Sequence, residues 1–371
     1  MEESKPSILS VILAYLVVYI VWGSTFFFIE EALRSFSPFV LGSIRFLIAG
    51  PLLMGYCALK GYKLFNKEDV KQAIFVGFLL LFVDMACIIW SEQYISSGIV
   101  SILSAATAIW FVLLDKPKWK ENFSSISTLL GLFFGFAGVI MLFAEQIFAN
   151  TVAEETKSQN ITAMGVLVMG TIGWTIGSLW SKYSQKGKTT NKKKALNVMV
   201  KTAWQMLTAG VAFTLVALFN GEYSRFDYKA VHLADWGALL YLVTMGSILA
   251  FSSYIWLLQV RPATEVSTYA YVNPIVALLL VHFFTDHEVT MLQIMGLCVV
   301  LVSVLLMNWN LYKDSRTIRA IRYRKKLKRL KHMAPKSSVP RIVEVVEFQR
   351  KELSKAEKKK LKEKEKQQSQ E

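Results

Sequence analysis

WSEQYISSGIVSILSAATAIWFV (90–112) and WLLQVRPATEVSTYAYVNPIVAL (256–278) can be laid over one another. In that register Trp90 falls on Trp256, Gln93 on Gln259, Val100 on Val266 and Ser101 on Ser267. With the offset shortened by one, Gly131 falls on Gly296, and the apolar run ending at Leu142 falls on the run ending at Met307. Identity is low, but it runs through segments that are apolar almost throughout. A membrane chain made of two copies of one unit is the usual construction of a carrier, because related halves can rock around a shared central site.

Working outward, 54% of the 371 residues are hydrophobic and the mean hydropathy is +0.39, well above a soluble domain of this length. The apolar residues fall in blocks of about 20, enough to cross about 30 Å of hydrocarbon as a helix. Spans are expected near 8–30, 36–59, 71–93, 95–114, 125–144, 161–182, 198–219, 235–258, 263–284 and 291–312. The expected fold is therefore an all-α polytopic membrane protein of ten transmembrane helices in two groups of five. The first unit covers 1–148, the second 149–312, and a basic tail follows at 313–371. Spans three and four are almost continuous, so a tight turn is expected around Tyr94–Ser97. The first span is too long for a signal-peptide core and lacks a small-x-small cleavage site. Cys57, Cys87 and Cys298 all sit in spans without CxxC spacing, which points to packing rather than disulfides or zinc.

Charge sets the orientation. With the amino terminus inside, the cytoplasmic loops hold Lys60, Lys63, Lys67 and Lys71, then Lys116, Lys118 and Lys120, then seven lysines from Lys182 to Lys201, then Arg261. The opposite loops hold only Arg34, Lys157, Arg225 and Lys229. The positive-inside rule then places both termini in the cytoplasm. Because five is odd, the second unit enters the membrane from the other side, and the repeats are inverted.

Most of the net charge of +15 lies in the tail. Residues 318–333, IRAIRYRKKLKRLKHM, set Ile318, Ile321, Leu327 and Leu330 roughly along one helical face among basic residues. Such a segment either lies on anionic lipid or is a solvated tail that reinforces topology. No aromatic–basic interleaving or binding motif supports a nucleic-acid partner.

The stretch VWGSTFFFIEEALRSFSPFVLGSIRFLIAGPLLM (21–54), with AYVNPIVALLL (270–280) and WTIGSLWSKYS (174–184), resembles the EamA-type transporters of the drug/metabolite transporter superfamily. The resemblance covers residues 8–312. It implies two inverted five-helix units around a substrate cavity and secondary transport of small metabolites, often export. Where the family commonly carries Gly-Trp and Gly-Glu pairs after its NP motif, this chain has VHFFTDHE (281–288), and the first-unit partner of Asn273-Pro274 is Thr107-Ala108.

Asp84 stands near the middle of span three. A carboxylate at the bilayer centre costs at least ~2.5 kcal/mol and so faces the bundle interior or water. Asp84, Cys87, Ser91 and Tyr94 follow one helical stripe. Asp84 is thus either a proton-coupling or cation-contacting group, or a buried acid that only holds helices together, for example by pairing with Arg45. Arg45 lies about 10 Å below the outer end of span two. It is expected to form a structural ion pair with Glu30, the alternatives being snorkelling or contact with substrate carboxylates.

A second set is aromatic and hydroxyl-rich: Trp22, Ser24 and Thr25 in span one, Trp174 and Ser178 in its second-unit equivalent, and Trp90, Tyr254, Trp256, Tyr269, Tyr271 and Asn273 around the repeat pair. Near the midplane these residue types line cavities, offering flat apolar faces and a few donors. They also form interfacial belts, to which Trp204, Trp236 and Trp309 are assigned. Pro274 frees a backbone carbonyl that a polar pathway can use. Gly131 and Gly135 are expected at a helix–helix contact.

His232, His282, His287 and His332 are far apart and show no ligand spacing, so neither a metal nor another cofactor is expected. A nucleotide-binding GxxxxGK[ST] loop, a nucleophile elbow and paired catalytic carboxylates are all missing from the sequence. The leading reading is a secondary carrier, not an enzyme, that exports amino acids or related amphipathic solutes through a bacterial inner membrane. A nucleotide-sugar or phosphorylated-solute carrier would want several cavity cations. A scaffold or sensor acting through the tail is the third reading.

Overall fold

The computed structural model describes residues 8–124, 154–184, 195–261, 263–284 and 290–307, together with some residues between 126 and 141. Every regular element among them is helical. In chain order the longer ones are α1 (Ile8–Ala32), α2 (Pro38–Leu59), α3 (Lys67–Ser91) and α4 (Ser97–Leu114). They continue with α5 (Glu154–Tyr183), α6 (Val198–Phe219), α7 (Leu233–Val260), α8 (Tyr269–Phe284) and α9 (Met291–Met307). The first seven contain stretches long and apolar enough to cross a membrane. Helices α8 and α9, at 16 and 17 residues, are shorter than the spans expected there. The expected fifth span at 125–144 is only partly described, and the 318–333 segment lies outside the described residues.

Local chemistry fixes the helix ends. Pro38 opens α2, where its missing N–H costs nothing. The amides of Phe39 and Val40 donate to Glu222 Oε2 at 3.0 and 3.2 Å, setting a negative charge at the positive end of the helix. Asn66 and Asn197 cap α3 and α6, accepting from the amides of Glu68 and Met199. At the end of α7, Lys182 Nζ donates to the carbonyls of Leu258 and Arg261 at 3.0 and 2.6 Å. The turn between α3 and α4 spans residues 92–96, close to the expected position.

Two features of the pair α3 and α7 reflect the repeat. The register that lays Trp90 on Trp256 also lays Lys67, the start of α3, on Leu233, the start of α7. It carries residues 78–83 onto 244–249. Both helices widen there into π turns, over Phe78–Val83 and Leu242–Phe251. A π turn inserts an extra residue, re-aims the side chains beyond it, and is frequent at functional sites.

Close helix crossings hold the bundle together. A Cβ on Gly77 of α3 would stand 2.6 Å from the Cα and carbonyl oxygen of Gln205 in α6, so only glycine allows those backbones to meet. Gly135 lies close to the side chains of Ile109 of α4 and Ser303 of α9, and Gly131 is also buried. At one end of α3 and α6, Lys201 Nζ lies 3.1 Å from Asp69 Oδ1, both side chains largely buried. Asp69 Oδ2 accepts from the Leu196 amide at 2.9 Å. Large apolar side chains such as Leu16, Ile20, Leu52, Leu240 and Trp180 face outward. In water that surface would be a large exposed patch, whereas in lipid it is solvated.

Candidate functional site

The helices converge on a cavity enclosing about 700 Å³ of atom-free space, counted out to its mouth. Helices α1 to α4 of the first unit and α5, α7 and α8 of the second all contribute to its wall. Part of the lining is aromatic. Trp22 meets Trp174 edge-on with ring centroids 5.3 Å apart, and meets Tyr269 edge-on at 5.1 Å. Tyr254 stands behind both indoles, 4.9 Å from Trp22 and 5.0 Å from Trp174. Trp22 is further fixed by donating Nε1–H to the Gly246 carbonyl at 3.2 Å.

The lining also carries two ionisable groups. Arg45 is 3% exposed, yet no carboxylate lies within ion-pair distance of its guanidinium among the described residues. Its Nε donates to Ser247 Oγ at 2.8 Å, and Nη1 lies 4.0 Å from Met85 Sδ. Gly246 makes room for it, since a Cβ there would stand 3.2 Å from Nη2. Asp84 lines the same cavity just beyond the α3 π turn, 4% exposed and without a hydrogen-bond partner among the described residues. Arg45 and Asp84 are therefore separate ionisable groups in one lining rather than a mutual ion pair.

The expected Arg45–Glu30 pair is not formed. Glu30 Oε2 instead accepts from the Ser97 amide at 3.1 Å, at the start of α4. Arg45 turns into the cavity because Ser247 offers it an acceptor there.

Of the expected cavity residues, Trp22, Thr25, Asp84, Trp174, Tyr269 and Asn273 line the cavity. The Asn273 amide, oriented to satisfy its surroundings, donates to the carbonyls of Tyr19 and Tyr269, each at 3.1 Å. Pro274 follows it inside α8. Ser24, Ser178, Tyr254, Trp90 and Trp256 are not on the wall. Ser24 donates to the Val21 carbonyl at 2.7 Å and shares a hydrogen bond with the Tyr241 hydroxyl. Ser178 and Tyr254 bond to each other at 2.7 Å behind the indoles. Trp90 packs against Tyr94 with tilted rings, centroids 4.8 Å apart. Trp256 is half-buried away from the cavity. The side chain of Tyr271 lies outside the described residues.

The Asp84 stripe also divides. Cys87 packs on Gly170 of α5, Ser91 donates to the Ala163 carbonyl at 2.8 Å, and Tyr94 is exposed beyond the helix. The cavity face continues instead from Asp84 through Ile88. Sequence reasoning missed Ser101, Ser104, Thr107, Thr171 and Ser247 as wall residues. Thr107 was within reach, because the repeat register pairs it with Asn273, and both line the cavity.

Known proteins agree with this architecture. The chain matches the model of the EamA-like transporter family at residues 9–144 and 161–309, once for each half. It is 30% identical over 302 residues to the uncharacterized inner membrane transporter YedA of Escherichia coli strain K12, covering 81% of this chain and 90% of that protein. It is 23% identical over 302 residues to the chloroplastic WAT1-related protein At3g02690 of Arabidopsis thaliana, covering 78% and 67% of the two chains. A crystal structure with 14% identity superposes with a TM-score of 0.58 over 83% of this chain and all of that one, a likeness of fold alone. Helices that suit lipid, a cavity walled by both halves, and a family match repeated in each half together show that this chain is a polytopic membrane protein belonging to the EamA-like transporter family.

Proposed function

We propose that the chain is a secondary carrier that moves small amphipathic metabolites, amino acids or close relatives, across a bacterial inner membrane by alternating access. The observation that carries this reading is the cavity itself, where Arg45 and Asp84 share a wall with the Trp22–Trp174 aromatic pair. A buried guanidinium without a carboxylate partner suits a solute carboxylate. A carboxylate facing the same space suits an ammonium group or a transported proton. The indoles offer an apolar face to the rest of the solute.

In this reading the chain crosses the membrane ten times, as two inverted five-helix repeats with both termini in the cytoplasm. The paired π turns of α3 and α7, the charge bias of the loops and the double family match support it. Net flux is outward, as the family resemblance implies, and Asp84 carries the coupling proton. A carrier of nucleotide sugars or other phosphorylated solutes would need several cations, and Arg45 is the one cationic side chain on the described wall. The test is counterflow of pooled metabolites by purified protein in proteoliposomes, with and without a pH gradient. Exchange of a zwitterionic solute, abolished in R45M, is expected. Exchange of phosphorylated solutes alone would favour the second reading, and failure of every pool to exchange would reject the carrier.

A further inference from the structure

One turn beyond Ile88, where the cavity wall ends, α3 stops at Ser91 and Glu92 begins the turn into α4. Glu92 is 6% exposed, and neither carboxylate oxygen has a hydrogen-bond partner among the described residues. The Ser97 hydroxyl at the start of α4, itself fully buried, also has no partner among the described residues. The Ser97 amide is held by Glu30 of α1. Two charges act on Glu92, namely Glu30 and Arg45 of α2. The facing turns of α4 (97–104) and α5 (158–168) contain no titratable side chain.

An ionised carboxylate stripped of water and of every donor is among the most costly groups a protein can bury, whereas the neutral acid is far cheaper. Glu30 adds a like charge, which favours the neutral form further, and Arg45 opposes it without contact. The closed turn seen here is therefore compatible with a protonated Glu92. Ionisation requires water, which reaches the group only if the turn opens.

We propose that Glu92 is a proton-binding site, distinct from Asp84, whose protonation closes the Ser91–Ser97 turn at one end of the cavity and whose ionisation opens it. Below the titration midpoint the turn is shut; above it, each pH unit shifts the opening equilibrium tenfold, the slope of a single linked proton.

The test is amide hydrogen exchange of the full purified chain in lipid nanodiscs, with rates corrected for intrinsic pH dependence. Peptides spanning residues 91–97 are expected to keep constant protection at low pH and lose about tenfold per unit above the midpoint. E92Q, which copies the neutral acid, is expected to stay protected at every pH. D84N is expected to behave as wild type, which separates this site from the coupling role proposed for Asp84. A flat wild-type profile, or a response that survives in E92Q or vanishes in D84N, would overturn the proposal. Protection restored at high pH by sodium but not by choline would also overturn it, in favour of a cation site. Should E92Q misfold, infrared titration of wild type against E92D decides: a neutral-carboxyl C=O band must shift in E92D, and an unmoved band rejects the assignment.

Discussion

Arg45 Nε donates to Ser247 Oγ at 2.8 Å, joining a helix of the first unit to the π turn of the second. The bond spends one donor on orientation and leaves the guanidinium with no carboxylate within ion-pair distance among the described residues. A cation buried without a counter-ion destabilises its surroundings, and such groups are retained where a ligand completes them.

Replacing it should therefore separate stability from function. R45M is expected to leave the thermal midpoint in detergent unchanged or raise it, since apolar replacements of buried charges are often neutral or stabilising. The same variant should lose at least about tenfold in counterflow of carboxylate-bearing solutes, the loss of one charge-assisted pair. S247A, which keeps the charge but frees its orientation, should fall in between. Thermal-shift and proteoliposome exchange measurements check both.

Asp84 offers the complementary test. D84N preserves size and removes the ionisable group, so solute exchange at equal pH should persist while accumulation driven by a pH gradient is abolished. Uptake following the gradient as in wild type would show that the coupling proton travels elsewhere.

The Gly77–Gln205 crossing makes a prediction about stability alone. G77A places a methyl group against backbone 2.6 Å away and should cost about 1–3 kcal/mol as α3 and α6 are forced apart. Gly55, which has nothing within 4 Å of its would-be Cβ, supplies the control. G55A should be neutral or gain up to about 1 kcal/mol from helix propensity. Thermal midpoints in one detergent compare the two directly.

The Asp69–Lys201 pair, both side chains largely buried, ties the start of α3 to that of α6. K201M leaves Asp69 buried beside the Leu196 amide without its cation and should destabilise by about 3 kcal/mol. The D69N/K201M double variant should recover most of that loss, because the stranded charge is gone. A double variant as unstable as K201M would mean that side-chain shape, rather than charge, controls this contact.

The sequence revealed the helical membrane architecture because about 20 apolar residues in a row have few other uses. Its internal repeat pointed to the equivalence of α3 and α7, whose π turns coincide in that register. The repeat pair Trp90 and Trp256, the most visible identity, proved peripheral to the cavity, since matched positions preserve packing as readily as binding. Asp84, Trp22, Trp174 and Asn273 were legible from residue type and depth. Arg45 was found but misassigned, because pairing it with Glu30 used sequence position alone, and the preferred acceptor came from Ser247, 202 residues away. Glu92 escaped notice because it stands beside a turn. Only the fold shows that the turn is buried and offers its oxygens no donor.

The central claim is a cavity reached alternately from the two faces of the membrane. It is tested most directly by labelling a T107C variant, made in a background lacking the three native cysteines, with an impermeant thiol reagent added to one side and then the other. Thr107 lines the cavity and is 4% exposed. The account predicts labelling from each side, with transported solute protecting the thiol against both. Labelling from one side only, under every solute and pH condition, would contradict it.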